Sequence, residues 1–136
     1  MRVGITFSTF DLFHAGHVKM LEEAKGQCDY LIVGLQVDPS IERPEKNAPC
    51  QSIIERYIQV DGCKHVDEVV PYAMESDLED ILKSFNIDVR IIGDEYREKN
   101  FTGRGYCEGV GNIEIYYNSR DHRFSSSGLR KQIKDL

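Results

Sequence analysis

No apolar run in this chain approaches the roughly 18 residues that a membrane helix needs. Nothing resembles a signal peptide either, since the N-terminus reads as a strand at once. The expectation is a cytoplasmic protein with no membrane insertion. CxxC spacing is missing: Cys28, Cys50, Cys63 and Cys107 are scattered, which suits reduced thiols better than a disulfide framework or a thiolate metal site. Basic excess is missing too. The chain has 17 Lys and Arg against 23 Asp and Glu, a net charge of −6, which argues against a nucleic-acid partner. Neither GxxxxGK[ST] nor GxGxxG occurs, so the two best-known phosphate-cradling glycine loops are excluded. There is no repeat, linker or low-complexity tract. The 136 residues read as one domain over 1–136, long enough to bury a core.

What is present alternates between two periodicities. Residues 2–7 read as a strand, and 17–27 as a helix with Val18, Leu21 and Ala24 on one side. Residues 29–36 are apolar without clean alternation, as parallel strands are. A polar, proline-interrupted loop covers 37–50. Ser52 and Glu55 have capping-box spacing for a helix carrying Ile54, Tyr57 and Ile58. Residues 66–70 read as a short strand. Ser76 and Glu79 form a second candidate capping box, ahead of Leu78, Ile81, Leu82 and Phe85 at i, i+3, i+4, i+7. Residues 88–93 are a buried strand, 94–112 a long glycine-rich loop, and 113–117 the last strand. A closing helix over 125–136 would turn Leu129 and Ile133 inward. This pattern predicts an α/β, Rossmann-like doubly wound parallel sheet of about five strands with helices on both faces. Ligands bind such sheets beyond the carboxyl ends of the strands, at the switch point. His14, Asp94 and Arg120 each follow a predicted strand and should converge there.

The run from Thr9 to His17 sits where the first strand gives way to a helix. Helix starts present unbonded N–H groups and a positive dipole end, which attract phosphate. Gly16 permits close approach to the backbone. His14 and His17, three residues apart, either donate to a bound phosphate chain or simply cap the helix. Ser125, Ser126 and Ser127 open the last helix and can cap it or contact phosphate, with Arg120 as a forked anion partner.

Ile5-Thr6-Phe7, Thr9-Phe10-Asp11-Leu12 and His14-Ala15-Gly16-His17 resemble the opening of the HxGH nucleotidylyltransferases, and within them of the glycerol-3-phosphate cytidylyltransferases. The similarity continues through Val66 to Pro71, Asn86 to Val89 and Gly93-Asp94, and ends at Arg120 with Ser125-Ser126-Ser127. The resemblance implies transfer of CMP from CTP to a small phosphorylated alcohol, with pyrophosphate released. It implies Mg²⁺ held by the phosphates rather than by protein ligands, and a homodimer. It casts His14, His17 and Arg120 as catalytic, and Thr9, Phe10, Asp11, Gly16, Asp94 and Ser125 to Ser127 as nucleotide-binding. Lys46 matches a lysine-bearing loop of the family, with Arg43 competing for that place. Arg56 and Lys64 match basic positions of the family or else decorate helix 52–60 and its end. Arg43, Lys46 and Lys64 are the candidates for the acceptor.

The chemistry needs no general base. A phosphate monoester with a second pKa near 6 is already mostly ionised at neutral pH. Catalysis is then positioning plus electrostatic stabilisation. Other readings stay open: a cytidylyl- or adenylyltransferase for an amino-alcohol phosphate, a sugar phosphate or a flavin. A nucleotide-binding module without turnover is another, suggested by Ser8 and Arg123 where the family has glycine. Glu75, Asp77, Glu79 and Asp80 stand where the family carries lysine. They predict an acidic rim that favours an acceptor with a cationic head.

Overall fold

Short apolar strands alternate with helices along the chain, in the order β1 (Val3–Ser8), α1 (Ala15–Lys25), β2 (Tyr30–Gln36), α2 (Ile53–Asp61), β3 (Glu68–Tyr72), α3 (Glu75–Ser84), β4 (Val89–Gly93), α4 (Arg104–Glu108) and β5 (Glu114–Asn118). The computed structural model describes residues 1–119 and 131–135. The five strands form one sheet in the order β3-β2-β1-β4-β5, and every pairing is parallel. The strand order reverses between β1 and β4, so the crevice of this doubly wound sheet opens where those two strands end, at Ser8 and Gly93.

Alternation along the strands divides the core in two. Leu31, Val33, Leu35, Val89 and Ile91 pack with Leu21, Ala24 and Val60 under α1 and α2. Ile5 and Ile32 pack with Leu78, Ile81, Leu82 and Cys107 under α3 and α4. Arg90 lies between Val89 and Ile91 and so turns to the α3 and α4 side. Gly34 pairs with Phe7 across β1 and β2, and the Phe7 ring folds over it so closely that a β-carbon there would overlap the ring.

Several boundaries and faces differ from the sequence expectation. Helix α1 begins at Ala15 rather than 17 because His14 caps it. Ser52 and Glu55 do cap α2 reciprocally, at 3.0 and 3.1 Å. Ser76 and Glu79 do not cap α3; the Asp77 carboxylate accepts from the backbone N–H of Met74 at 2.9 Å and takes that role. The 94–112 stretch is no open loop: it holds a 3₁₀ turn over Asp94–Tyr96 and then α4, which buries Cys107. Ile54, Tyr57 and Ile58 are 65%, 37% and 65% exposed, because α2 buries Arg56 and Val60 instead. Residues 131–134 are helical, as expected there, but Ile133 is 55% exposed rather than inward.

The Gly34–Phe7 fit gives a stability prediction. Gly34→Ala should lose about 1–3 kcal/mol, the usual scale of overpacking. Adding Phe7→Ala should recover part of that loss, since the clash has one partner. Urea denaturation of both single variants and the double variant checks this; strict additivity would show that the ring is not what excludes a side chain at 34.

Candidate active site

The loop between β1 and α1 is strained and heavily tied down. Phe10 and Leu12 hold φ of 51° and 52°, a region that costs a non-glycine residue about 1–3 kcal/mol. Three side chains oppose that strain. Asp11 is 4% exposed, and its two carboxylate oxygens accept from Cys50 N at 2.8 Å and Gln51 N at 3.0 Å. The Gln51 side chain returns a bond, accepting from Leu12 N at 3.0 Å. Arg56, 1% exposed, donates to four backbone carbonyls: Thr9 at 3.0 Å, Gln51 at 3.1 Å, Gln36 at 2.6 Å and Val37 at 2.5 Å. Bonds to charged groups are worth about 1.5–3 kcal/mol each, so this set outweighs two strained residues. Burial pushes the Arg56 pKa below its ordinary value, while Asp11 and Asp38 push it back up. Asp11, one of the residues expected at the nucleotide, ties this loop to the start of α2. Arg56 joins β1, β2 and α2 and does not decorate a surface.

The two histidines are fixed by backbone. His14 is the N-cap of α1, and its Nδ1 accepts from Gly16 N at 2.9 Å. His17 Nδ1 accepts from His14 N at 3.2 Å, closing a capping box made of two imidazoles. A neutral imidazole that accepts at Nδ1 carries its proton at Nε2. The rings stack with centroids 4.0 Å apart, and His17 also lies against Phe13 at 5.4 Å and the buried Phe10 at 5.3 Å. Capping and donation are therefore compatible here: the cap selects the nitrogen that donates. Gly16 is buried behind them. Ser8 has no positive φ, so the backbone there carries no strain that would call for glycine.

Beside this loop is a cleft of about 230 Å³. Ser8 and Thr9 form its wall toward the histidines, and Arg43, Lys46 and Arg90 face it with a single carboxylate, Glu75. Arg43 pairs with that carboxylate at 2.7 Å, which holds the Arg43 pKa above its ordinary value. The anticipated acidic rim does not form. Asp77 is engaged in capping α3, and Asp77 and Asp80 line a separate hollow at β3; only Glu75 reaches the cleft. Asp94 follows β4 directly and pairs with Arg97 at 3.0 Å. Lys64 is not brought in: it is exposed just before β3, at the opposite end of the sheet, within electrostatic range of Glu22. Arg120, Ser125, Ser126 and Ser127 lie outside the described residues, as does Arg123.

The model of the family described as cytidylyltransferase-like matches residues 5–133. The chain belongs to the cytidylyltransferase-like family. It is 36% identical to a glycerol-3-phosphate cytidylyltransferase of Bacillus spizizenii over the full length of both chains. It is 41% identical to an ethanolamine-phosphate cytidylyltransferase of Dictyostelium discoideum, over 63% of this chain and 24% of that protein. A solved lipopolysaccharide core biosynthesis protein from Thermoplasma volcanium shares the fold, with a TM-score of 0.69 at 22% identity over 92% of this chain and 99% of that one. The family membership marks the chain as a cytidylyltransferase enzyme. Among the described residues, no helix is long and apolar enough to cross a membrane.

Sequence reasoning passed over Arg90 and left Arg56 undecided. Arg90 did carry a signal, a lone charge inside a segment that otherwise reads as core, whereas Arg56 follows Glu55 in a helix of mixed polarity. Arg56→Lys should lower stability by about 2–5 kcal/mol, since one ammonium cannot reach four carbonyls and each buried carbonyl left unpaired costs about 1–3 kcal/mol. Guanidinium denaturation measures this, and an unchanged midpoint would contradict the bonding pattern.

Proposed function

We propose that this chain transfers CMP from CTP to a small phosphate monoester similar to glycerol 3-phosphate, releasing pyrophosphate. The observation that carries this reading is the double-histidine cap at the switch point. It presents two imidazoles with their protons on Nε2 at a helix start that favours anions. The full-length similarity to a glycerol-3-phosphate cytidylyltransferase supports the same reading. An ionised oxygen of the acceptor phosphate attacks the α-phosphorus, and a new P–O bond forms. The bond from the α-phosphorus to the bridging oxygen breaks, and pyrophosphate leaves with the electron pair. No proton needs removal from the nucleophile. The difficulty is charge, which donors placed in advance relieve.

His14 and His17 would donate to the phosphate chain and follow its growing charge into the transition state. Backbone N–H groups of Thr9 and Phe10 would lie near the α-phosphate, with Gly16 allowing close approach. Asp94 would stand at the nucleoside. Arg120 and the hydroxyls of Ser125 to Ser127 would hold the far phosphates. Arg43 and Lys46, at the cleft beside Thr9, would attract the acceptor phosphate. Mg²⁺ would be carried in on the nucleotide, as the resemblance to the cytidylyltransferases implies. When bound, the ion would neutralise charge on the phosphates.

Pyrophosphate release measured with each of the four nucleoside triphosphates and glycerol 3-phosphate tests the reading directly. CTP should be the preferred donor, and no release with any acceptor would overturn the proposal. His14→Asn separates the two roles of the cap, because asparagine is itself a good N-cap but lacks a donor in the place of Nε2. Melting temperature should stay near that of the parent. Turnover should fall by about 10²–10³, the scale for losing one transition-state donor. CTP affinity should fall less, since only differential stabilisation accelerates the chemistry. Turnover within a few-fold of the parent would reduce His14 to a structural cap.

A further inference from the structure

Arg90 is an unusual side chain to find in the middle of a sheet. It is 4% exposed and faces the side of β4 that α3 and α4 cover. Its Nη1 donates to the carbonyl of Thr102, the Cys107 thiol also interacts with the guanidinium, and its Nε has no partner. Among the described residues no carboxylate pairs with it. The guanidinium carbon is 5.0 Å from the ring centroids of both Phe7 and Phe101. Two aromatic faces thus hold the plane of the group in place. Phe7 in turn is pinned over Gly34. A buried guanidinium with so few partners is costly to fold around unless something else completes its bonding.

The same side chain lines the cleft that runs back to Ser8 and Thr9. On the reading given above, the acceptor phosphate sits beside Thr9 to reach the α-phosphorus, in a cleft that Arg43 and Lys46 also line. The remainder of a small acceptor then extends toward Arg90, Phe101 and Tyr96. The one carboxylate lining this cleft, Glu75, is already paired with Arg43. We propose that Arg90 determines acceptor specificity: it takes a head bearing oxygen acceptors, hydroxyl or carboxylate, and rejects an ammonium head. The fixed plane makes the fork directional, so the head is read by hydrogen bonds and not by charge alone. This inference rests on the transfer reading for the location of the acceptor phosphate. It reverses the preference that the acidic run at 75–80 suggests in the sequence.

The test compares glycerol 3-phosphate, 3-phosphoglycerate and ethanolamine phosphate as acceptors at fixed CTP and Mg²⁺. For the parent enzyme, kcat/KM should be at least about tenfold higher with the better of the two oxygen-headed esters than with ethanolamine phosphate; tenfold is one modest hydrogen bond. Arg90→Met should cut kcat/KM for that ester by roughly 10–100-fold, the loss expected for a bond to a charged group. It should leave KM for CTP unchanged and not lower kcat/KM for ethanolamine phosphate. Phe101→Leu, which loosens the aromatic clamp and keeps the charge, should narrow the preference part of the way and guards against a misfolded methionine variant. A preference for ethanolamine phosphate in the parent, or an acceptor preference whose size Arg90→Met does not change, would overturn the assignment. Calorimetric titration of each ester separates the two readings. Binding of an oxygen-headed ester that needs Arg90, without pyrophosphate release, would sink the transfer reading and keep this one. Release with an acceptor preference indifferent to Arg90 would do the opposite.

Discussion

The guanidinium of Arg56 is the interaction on which the rest of the site depends. It is buried at the carboxyl ends of β1 and β2 and holds the carbonyls of Thr9, Gln36, Val37 and Gln51 together. Carbonyls released by two strands and a loop would otherwise be buried without donors, each at a cost near that of a lost hydrogen bond. One planar fork with five donors satisfies four of them. The strained backbone of Phe10 and Leu12 persists because this fork, Asp11 and Gln51 over-determine it. That backbone sets where His14 enters α1. The position of the two imidazoles is therefore inherited from an arginine some forty residues further along the chain.

Charge is distributed against its own total. The chain carries a net −6, yet the cleft beside the histidines is lined by three cations and one carboxylate that is already paired. Anionic ligands meet a general field that repels them and a local one that attracts them. At physiological ionic strength exposed charges beyond about 8 Å are largely screened, while buried ones are screened much less. The local arrangement prevails, and it prevails most at Arg90, which has the least water around it. The acids elsewhere serve the fold: Asp77 caps a helix, Asp67 pairs with Lys25, and Glu23 accepts from Tyr116 at 3.0 Å and from Ser119 N at 3.1 Å.

The legible parts of the sequence were those in which one local cause acts. Continuous apolar runs gave up β2 and β4, and the Ser52–Glu55 spacing gave up the start of α2, because strand burial and capping act within a few residues. The same rule misfired at Ser76 and Glu79. Met74 leaves β3 in an extended conformation that puts its N–H within reach of Asp77 instead, and the path of β3 is a tertiary matter. Helix α4 escaped notice because five residues flanked by glycines carry almost no periodicity; its Cys107 is recognisable as core only once α3 lies against it. On α2, spacing marked Ile54 and Ile58 as an apolar pair, but the sheet below that helix receives Val60 and Arg56.

By itself the sequence determined the alternation of strand and helix, the doubly wound class, and the entry of a histidine pair at the first helix. Each of these follows from spacing along the chain, which a reader of the chain can measure. Only the tertiary structure decided that Asp11 is a tether, that Arg56 is buried, that Lys64 stands at the wrong end of the sheet, and that Arg90 meets Arg43 and Lys46 in one cleft. Parallel pairing is the physical reason. It sets side by side strands separated by a whole crossover or more, β1 against β4 for instance, so that the neighbours of a charged group are chosen by register and by the order of strands. A charge in a sequence has a sign; its partner, its burial and its use come from what the sheet places beside it.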